Sequence, residues 1–528
     1  MKKLRITIVS MLVLAIAVSC SDKDVSSRGP ATVTPTNAII ASPKASTKAV
    51  PSVIPTTTPT AKQDNNSDGD KNGSNITANR NFFTVEVTLD TQNHKLNVKQ
   101  GLDYINKTGK ELKDIYFNLI PDAYKKKCEG VKMNNVTIND QKVKMTQVKG
   151  TVYKIDLPYV LAPGQPITIN MEYEEGIPNM MNRYGYQKEV YSLGNFIIQP
   201  AVYEKDGWSV QPYVDMGDGF YTDLADYSVK IEAPTGYTVA ASGTNNGTGT
   251  YTASNIRDFA FCASPSYKVL KEECEGIQIA VYYMDGIPET AKRAMETAQK
   301  SLKLYNKTFG KYPYENLSVV FSFMADGVGG MEYPSLIMLS TANNIDNLEE
   351  MGIDTSDKSF MESVLGTCDR IVCHEIAHQW FYAVVGNNQV SSPWLDEGLC
   401  RFSEYLYQKE YKPANVDERN PLTVDYFKRA YKEISEKGTS EETFYKKVKL
   451  DKSIYYYDKR DPSEYGALYT KGGSLIYKME EKMGEKAFSK ALKEYVKKFS
   501  DSFVTTESFK EFWNSKTDFS DLFKLYFK

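Results

Sequence analysis

Two histidines four residues apart, with a glutamate directly after the first, constrain this chain more than any other feature. The run Cys373-His374-Glu375-Ile376-Ala377-His378-Gln379-Trp380 holds two of only three His in 528 residues. On a helix, positions i and i+4 lie on one face a turn apart, so both imidazoles can reach a single cation. Glu375 sits about 100° round from His374, close enough to act on a water beside that cation without ligating it. Ile371, Val372, Ile376, Ala377, Phe381 and Val384 supply apolar, helix-spaced flanks, and Gly386 reads as the helix stop. The pattern predicts a helix carrying two neutral imidazoles and a carboxylate base, the groups used in zinc-assisted hydrolysis.

A four-coordinate catalytic zinc needs a third protein ligand. The remaining His, His94, is far upstream, and the position where a HExxHxxGxxH site would place another His is Val384. The third ligand is therefore expected to be acidic. The next acidic pair is Asp396-Glu397 in Ser392-Pro393-Trp394-Leu395-Asp396-Glu397-Gly398, where Ser392 as N-cap and Pro393 at the first helical position start a second helix. Glu397 follows His378 with eighteen residues between them. Glu404 comes seven later, two turns along the same face. It either holds a ligand His by its second nitrogen or lies on a solvated surface.

With these residues in place, HEIAHQW, eighteen residues and the Glu of WLDEG resemble the M1 family of gluzincin zinc aminopeptidases. Gly329-Gly330-Met331-Glu332-Tyr333 is similar to that family's GxMEN exopeptidase signature, and Tyr469-Thr470-Lys471-Gly472 to its YxKG segment. The resemblance implies one zinc per chain, held by His374, His378 and Glu397, with Glu375 as general base and Tyr469 as oxyanion donor. Tyr465 competes with Tyr469 for that last role. It also implies that Glu332, with Gly329, Gly330 and Met331, binds a peptide substrate by its free α-amine. Gln199, in Gln199-Pro200-Ala201-Val202-Tyr203, lies where the family's β domain lends a strand to the cleft, and either touches the amine or is a plain strand residue. Tyr333 stands where Asn is common, so peptide positioning is expected to differ. Two alternatives stay open: an endopeptidase on the same site, and a surface peptide-binding protein with an inactive one.

The chain opens with an export signal. Met1-Lys2-Lys3-Leu4-Arg5 is basic, Ile6 to Ser19 is apolar, and Ala17-Val18-Ser19-Cys20 resembles a lipoprotein box. Residues 1–20 therefore read as a signal peptide whose Cys20 takes a membrane lipid, giving an exported lipoprotein on the extracytoplasmic face, or as an ordinary secretory signal with an incidental Cys; export is expected either way. From 21 to 79 the composition is Ser, Thr, Pro and Asn with few aromatics, a spacer that cannot bury a core. A net charge of −3 leaves no basic field for nucleic acid. The six later Cys read as buried thiols; Cys368 and Cys373 point to different sides of one helix and do not suit each other.

After the spacer the architecture reads as multidomain α+β. Residues 80–265 alternate with period two, as in Phe83-Thr84-Val85-Glu86-Val87-Thr88-Leu89, and predict an all-β, sandwich-like domain. Residues 266–528 are expected to form a mainly helical zinc-peptidase domain with a small mixed sheet, thermolysin-like if the resemblance holds. Within it, Pro288 to Thr308 reads as a helix, Leu317 to Phe323 and Leu336 to Ser340 as strands. Val416 to about Asp458 reads as charged and helical, Lys471 to Lys482 as a helix opened by Tyr469, and the tail as two or three helices. Larger family members carry a long helical domain beyond this point, so the resemblance implies a more open cleft here.

Overall fold

The alternating first half folds into sheets. This computed structural model describes residues 80–527, except 326, 347, 349–354, 357, 412–423 and 437–442. The expected signal, Cys20 and the spacer lie outside the described residues. Strand Asn81–Asp90 buries Phe83, Val85, Val87 and Leu89 and turns the residues between them outward, because successive strand side chains point to opposite faces. It pairs antiparallel with Lys95–Ile105 and parallel with Ala225–Glu232. Those three strands are the middle of an eight-stranded sheet, and two four-stranded sheets and a two-stranded ribbon complete the β region around one apolar cluster.

Between the β region and the helices stands a five-stranded sheet, in the order Lys268–Cys274, Ile277–Tyr283, Asn316–Ser322, Leu336–Ser340 and Gly330–Met331. Its two central strands are apolar on both faces, since each face is covered. Leu317, Val319, Phe321, Ile337 and Leu339 join the helical core. Val320, Leu336 and Met338 join the β core.

The long helices are α1 Pro288–Phe309, α2 Lys358–Ala377, α3 Trp394–Tyr411, α4 Val424–Ser435, α5 Pro462–Met483, α6 Glu485–Phe499, α7 Thr506–Asn514 and α8 Ser520–Tyr526. Two boundaries differ from the expectation. Helix α2 stops at Ala377 instead of running to Gly386: Ala383 N–H donates to the His378 carbonyl at 3.0 Å, and Gly386 lies in a short strand, Val385–Asn387, paired with Ser502–Val504. Helix α5 begins two turns before Tyr469, because Asp461 accepts from Ser463 N–H at 2.9 Å and Pro462 takes the first position. In the charged stretch, α4 buries Phe427, Ala430 and Ile434 at i, i+3 and i+7, a stripe narrow enough to be hidden by the surrounding lysines and glutamates.

Two contacts fix the site's frame. Where α3 crosses α5, a Cβ on Gly398 would lie 3.1 Å from the Gly472 Cα, so the two backbones touch. Behind the zinc helix, the buried Arg257 of the β region donates to the carbonyls of Tyr382 (2.8 Å), Thr222 (3.2 Å) and Ser502 (3.0 Å) and stacks on Phe503. The six described cysteines are all free thiols, and five are buried.

Candidate active site

Helices α2 and α3 bring His374, His378 and Glu397 to one point. Their ligand atoms form a triangle: His374 Nε2 to Glu397 Oε2 is 3.1 Å, His374 Nε2 to His378 Nε2 is 3.2 Å, and His378 Nε2 to Glu397 Oε2 is 3.7 Å. Donors bound tetrahedrally at zinc distances of about 2.0–2.1 Å stand about 3.3 Å apart. The tautomers agree with that fit. His374 Nδ1 meets Glu404 Oε1 at 2.8 Å and His378 Nδ1 meets the Phe381 carbonyl at 3.0 Å. Both partners only accept, so each Nδ1 carries the proton and each Nε2 presents a lone pair. Two lone pairs and a carboxylate oxygen facing one another repel unless a cation lies between them. The donor set therefore fits zinc.

Of the acidic pair, Glu397 is the one that closes the triangle with both histidines, while Asp396 falls near His378 and Glu332. Asp396 accepts from Asn387 at 2.9 Å and from Gln389 at 2.7 Å. Glu404 is 3% exposed, so the solvated-face alternative does not hold. Burial alone would raise its carboxyl, but Arg401 and Arg370 beside it, with His374, hold it below the usual value.

Glu375 projects from the same helix against the GGMEY turn. A Cβ on Gly330 would sit 2.7 Å from its carboxylate, so this glycine gives room to Glu375 as well as to any ligand. Glu332 is buried, with an oxygen within 4.8 Å of a ring nitrogen of His378. Burial pushes its carboxyl well above the usual range, and the neighbouring charges of Asp218 and Glu397 add to this. Gln379 holds the turn in place, accepting from Ser335 N–H at 2.8 Å and donating to the Tyr333 carbonyl at 3.1 Å.

Tyr469 stacks on His374 with ring centroids 6.1 Å apart, and its hydroxyl reaches Glu397. It is partly exposed. Tyr465 is buried behind it, its hydroxyl against Gly217. The geometry favours Tyr469 of the two.

Two expected binding residues, Met331 and Gln199, have side chains engaged elsewhere, and Tyr333 also lies away from the site. The Met331 side chain is buried in the β core, leaving only backbone on the edge strand Gly330–Met331. Gln199 donates to Tyr227 at 2.9 Å and to Asp258 at 3.3 Å, so both its N–H groups are engaged within the β region. Tyr333 turns away from the site and donates to Asn195 at 2.6 Å, filling the space beside Gly194. Gly329 packs loosely on Ile371.

Sequence reasoning missed Gln379, Gln389, Arg183 and Asp218. Gln379 had a signal, an amide in the midst of the apolar Ile376, Ala377 and Trp380. The others reach the site only through tertiary contacts.

Residues 293–526 match the family model described as the peptidase family M1 domain. Among curated relatives, an aminopeptidase N of Haemonchus contortus is 24% identical over 226 residues, 43% of this chain and 21% of that protein. Aminopeptidase M1-B of Oryza sativa subsp. japonica is 28% identical over 235 residues, 44% of this chain and 24% of that protein. The matched segment thus spans about a fifth to a quarter of those relatives. Among solved structures, an M1 zinc metallopeptidase from Deinococcus radiodurans superposes with a TM-score of 0.59 at 18% identity, covering 85% of this chain and 95% of that one. A mutant M1 zinc metallopeptidase from that organism, bound to a Tyr-Ser-Ala substrate, gives 0.56 at 18% identity, over 85% and 93% of the two chains. At that identity the likeness is one of fold, and it includes the β region as well as the helices. Residues 293–526, the segment that carries Glu332, His374, Glu375, His378, Glu397 and Tyr469, are thus similar to a peptidase family M1 domain.

Proposed function

We propose that the protein is a zinc aminopeptidase that removes the first residue from peptides with a free amino terminus. The observation that carries this reading is the buried Glu332 carboxyl beside the histidines, which burial makes costly to ionise unless a cation is bound against it. A substrate ammonium placed there leaves only the first peptide bond over the triad, and fixing that bond removes much of the entropic barrier to attack.

His374, His378 and Glu397 would hold the zinc, whose chemistry is to polarise the scissile carbonyl and acidify a water near neutral pH. Glu375 takes that water's proton as attack proceeds and delivers it to the departing amine. The Tyr469 hydroxyl donates to the oxyanion that develops on the carbonyl oxygen. Glu404 keeps the His374 ring turned, with its Nε2 lone pair toward the metal. The aminopeptidase names of the curated relatives are consistent with this reading.

The test is hydrolysis of aminoacyl-naphthylamides beside their N-acetyl counterparts by zinc-loaded protein, with and without chelator. Chelator-sensitive cleavage of the free-amine set alone is expected. Cleavage of the N-acetyl set at similar rates would mean an endopeptidase.

Export as a lipoprotein through Cys20 is proposed on the sequence alone. Labelling of the cell-bound protein by a radioactive fatty acid is expected, and its persistence in Cys20→Ala would refute the assignment.

A further inference from the structure

A cleft of about 680 Å³ opens where the end of α1, helix α6 and residues Ser254 and Asn255 of the β region meet. None of His374, Glu375, His378, Glu397 and Tyr469 lines it. Small-molecule sites have volumes of roughly 300–1,000 Å³ and favour the seams between structural units. The wall is apolar where Phe309, Pro313, Tyr314, Trp380, Val384 and Val496 come together. Gly310 ends α1 with φ of 122°, and a Cβ there would meet nothing within 4 Å. Its carbonyl accepts from Trp380 Nε1 at 2.9 Å, so the indole N–H is spent and asks nothing of a ligand.

The rim of this cleft is cationic. Lys490, Lys493 and Lys497 follow one face of α6 at i, i+3 and i+7, and Lys311 joins them from the loop after α1. The two acids of the rim are engaged: Glu494 accepts from Lys516 at 2.6 Å, and Asp501 from Asn255 at 2.7 Å. Lys493 donates to the Lys307 carbonyl at 3.2 Å. Lys311, Lys490 and Lys497 have no hydrogen bond or salt bridge among the described residues. A chain with a net charge of −3 thus gathers positive charge over an apolar hollow. Within the wall, the Tyr314 hydroxyl is buried with no hydrogen-bond partner among the described residues. An unmet buried donor is costly, and an acceptor seated against that ring would relieve it.

We infer that this cleft is a second ligand site, taking an amphipathic anion: a carboxylate on an aromatic body, with the ring against Tyr314 and Val384 and the charge on Lys490 and Lys497. Charge complementarity selects the head, and the apolar wall selects the body. The site stands independently of the aminopeptidase reading. Its wall is nonetheless the backbone that follows the zinc helix. The Phe381 carbonyl accepts from His378 Nδ1, and the Val384 carbonyl accepts from Asp501 N–H at 3.0 Å. An occupant therefore lies against the segment that orients one of the three metal donors.

Calorimetric binding to the zinc-loaded full chain tests this without turnover. The probes are 1-naphthylacetate, which carries the carboxylate, and 2-(1-naphthyl)ethanol, which lacks it. The double variant Lys490→Gln, Lys497→Gln changes only exposed side chains and is expected to weaken naphthylacetate binding fivefold or more. Naphthylethanol binding should stay within twofold in that variant. Ser254→Trp fills the cleft from its exposed β-region edge and should abolish binding of both probes. Glu332→Gln, in the zinc cleft, should leave both affinities unchanged. No naphthylacetate binding to wild type at millimolar concentration would overturn the inference, as would equal naphthylacetate affinity in wild type and the double lysine variant. Undiminished binding in Ser254→Trp, or a loss in Glu332→Gln, would place the anion elsewhere and overturn it too.

Discussion

Gly398 and Gly472 touch backbone to backbone where α3 crosses α5. Each ends a motif, one the WLDEG run and the other the YTKG run, and neither glycine needs an unusual φ. Their use is closeness. With no side chain on either helix at the crossing, Glu397 and Tyr469 are drawn to the same zinc position from different helices. A methyl on either glycine must push the helices apart or bend them. Gly398→Ala and Gly472→Ala are each expected to lower stability by about 1–3 kcal/mol, read as a shift in urea midpoint, and to lower kcat with little change in zinc content. A variant with wild-type stability and rate would show that the crossing has slack.

Glu375→Gln should keep the zinc, because Glu375 stands outside the donor triangle, yet lose roughly 100- to 10,000-fold in kcat, the span of general-base contributions. Metal analysis beside naphthylamide turnover checks both halves. A rate within tenfold of wild type would move the proton transfer to another group.

The two tyrosines of α5 are separable. Tyr469→Phe is expected to cut kcat by about 100-fold or more, as loss of one oxyanion donor does, with KM little changed. Tyr465→Phe, buried behind it, should cost less than tenfold. The reverse order would exchange their roles.

Glu404→Gln removes the charge that orients His374 and leaves Arg401 and Arg370 without their shared partner. Zinc affinity should fall by about 10- to 100-fold, measured by competition with a chromogenic chelator. Unchanged affinity would reduce Glu404 to a neutraliser of the two arginines.

Stripping the metal leaves two Nε2 lone pairs and a carboxylate face to face. The metal-free protein should melt at a lower temperature than the zinc form, and free zinc at about 1,000 times its Kd should stabilise by about 4 kcal/mol. Identical melting curves would mean that the triangle holds no zinc in solution.

What the sequence made legible was local. Helical spacing pairs His374 with His378 and separates Glu375 from them, and two turns of α3 carry Glu404 back to His374. These relations survive from primary structure because a helix has one repeat. Asp218 and Gln389 are joined to the site by loop packing, which has no repeat to read. Gln199 was placed on the right strand, Gln199–Pro200, but strand position does not say which way an amide is spent, and Tyr227 and Asp258 take it. The extent of α2 was overdrawn because Phe381 and Val384 keep apolar spacing past Ala377 while their backbone bonds have already turned. At Tyr333 the departure from the family residue is absorbed by Asn195 and Gly194, outside the catalytic groups.

The five-stranded sheet with two apolar faces has an evolutionary consequence. Val320, Leu336 and Met338 are shared property: their strands flank the Gly330–Glu332 turn, but their packing partners lie in the β region. Arg257 adds a polar rivet at the far side, bonded to the chain just beyond the zinc helix. A catalytic half moved to a new neighbour by recombination would bring a bare apolar sheet face and an empty guanidinium socket beside Gly386. A substitution on one side of this sheet face is therefore expected to need a matching change on the other.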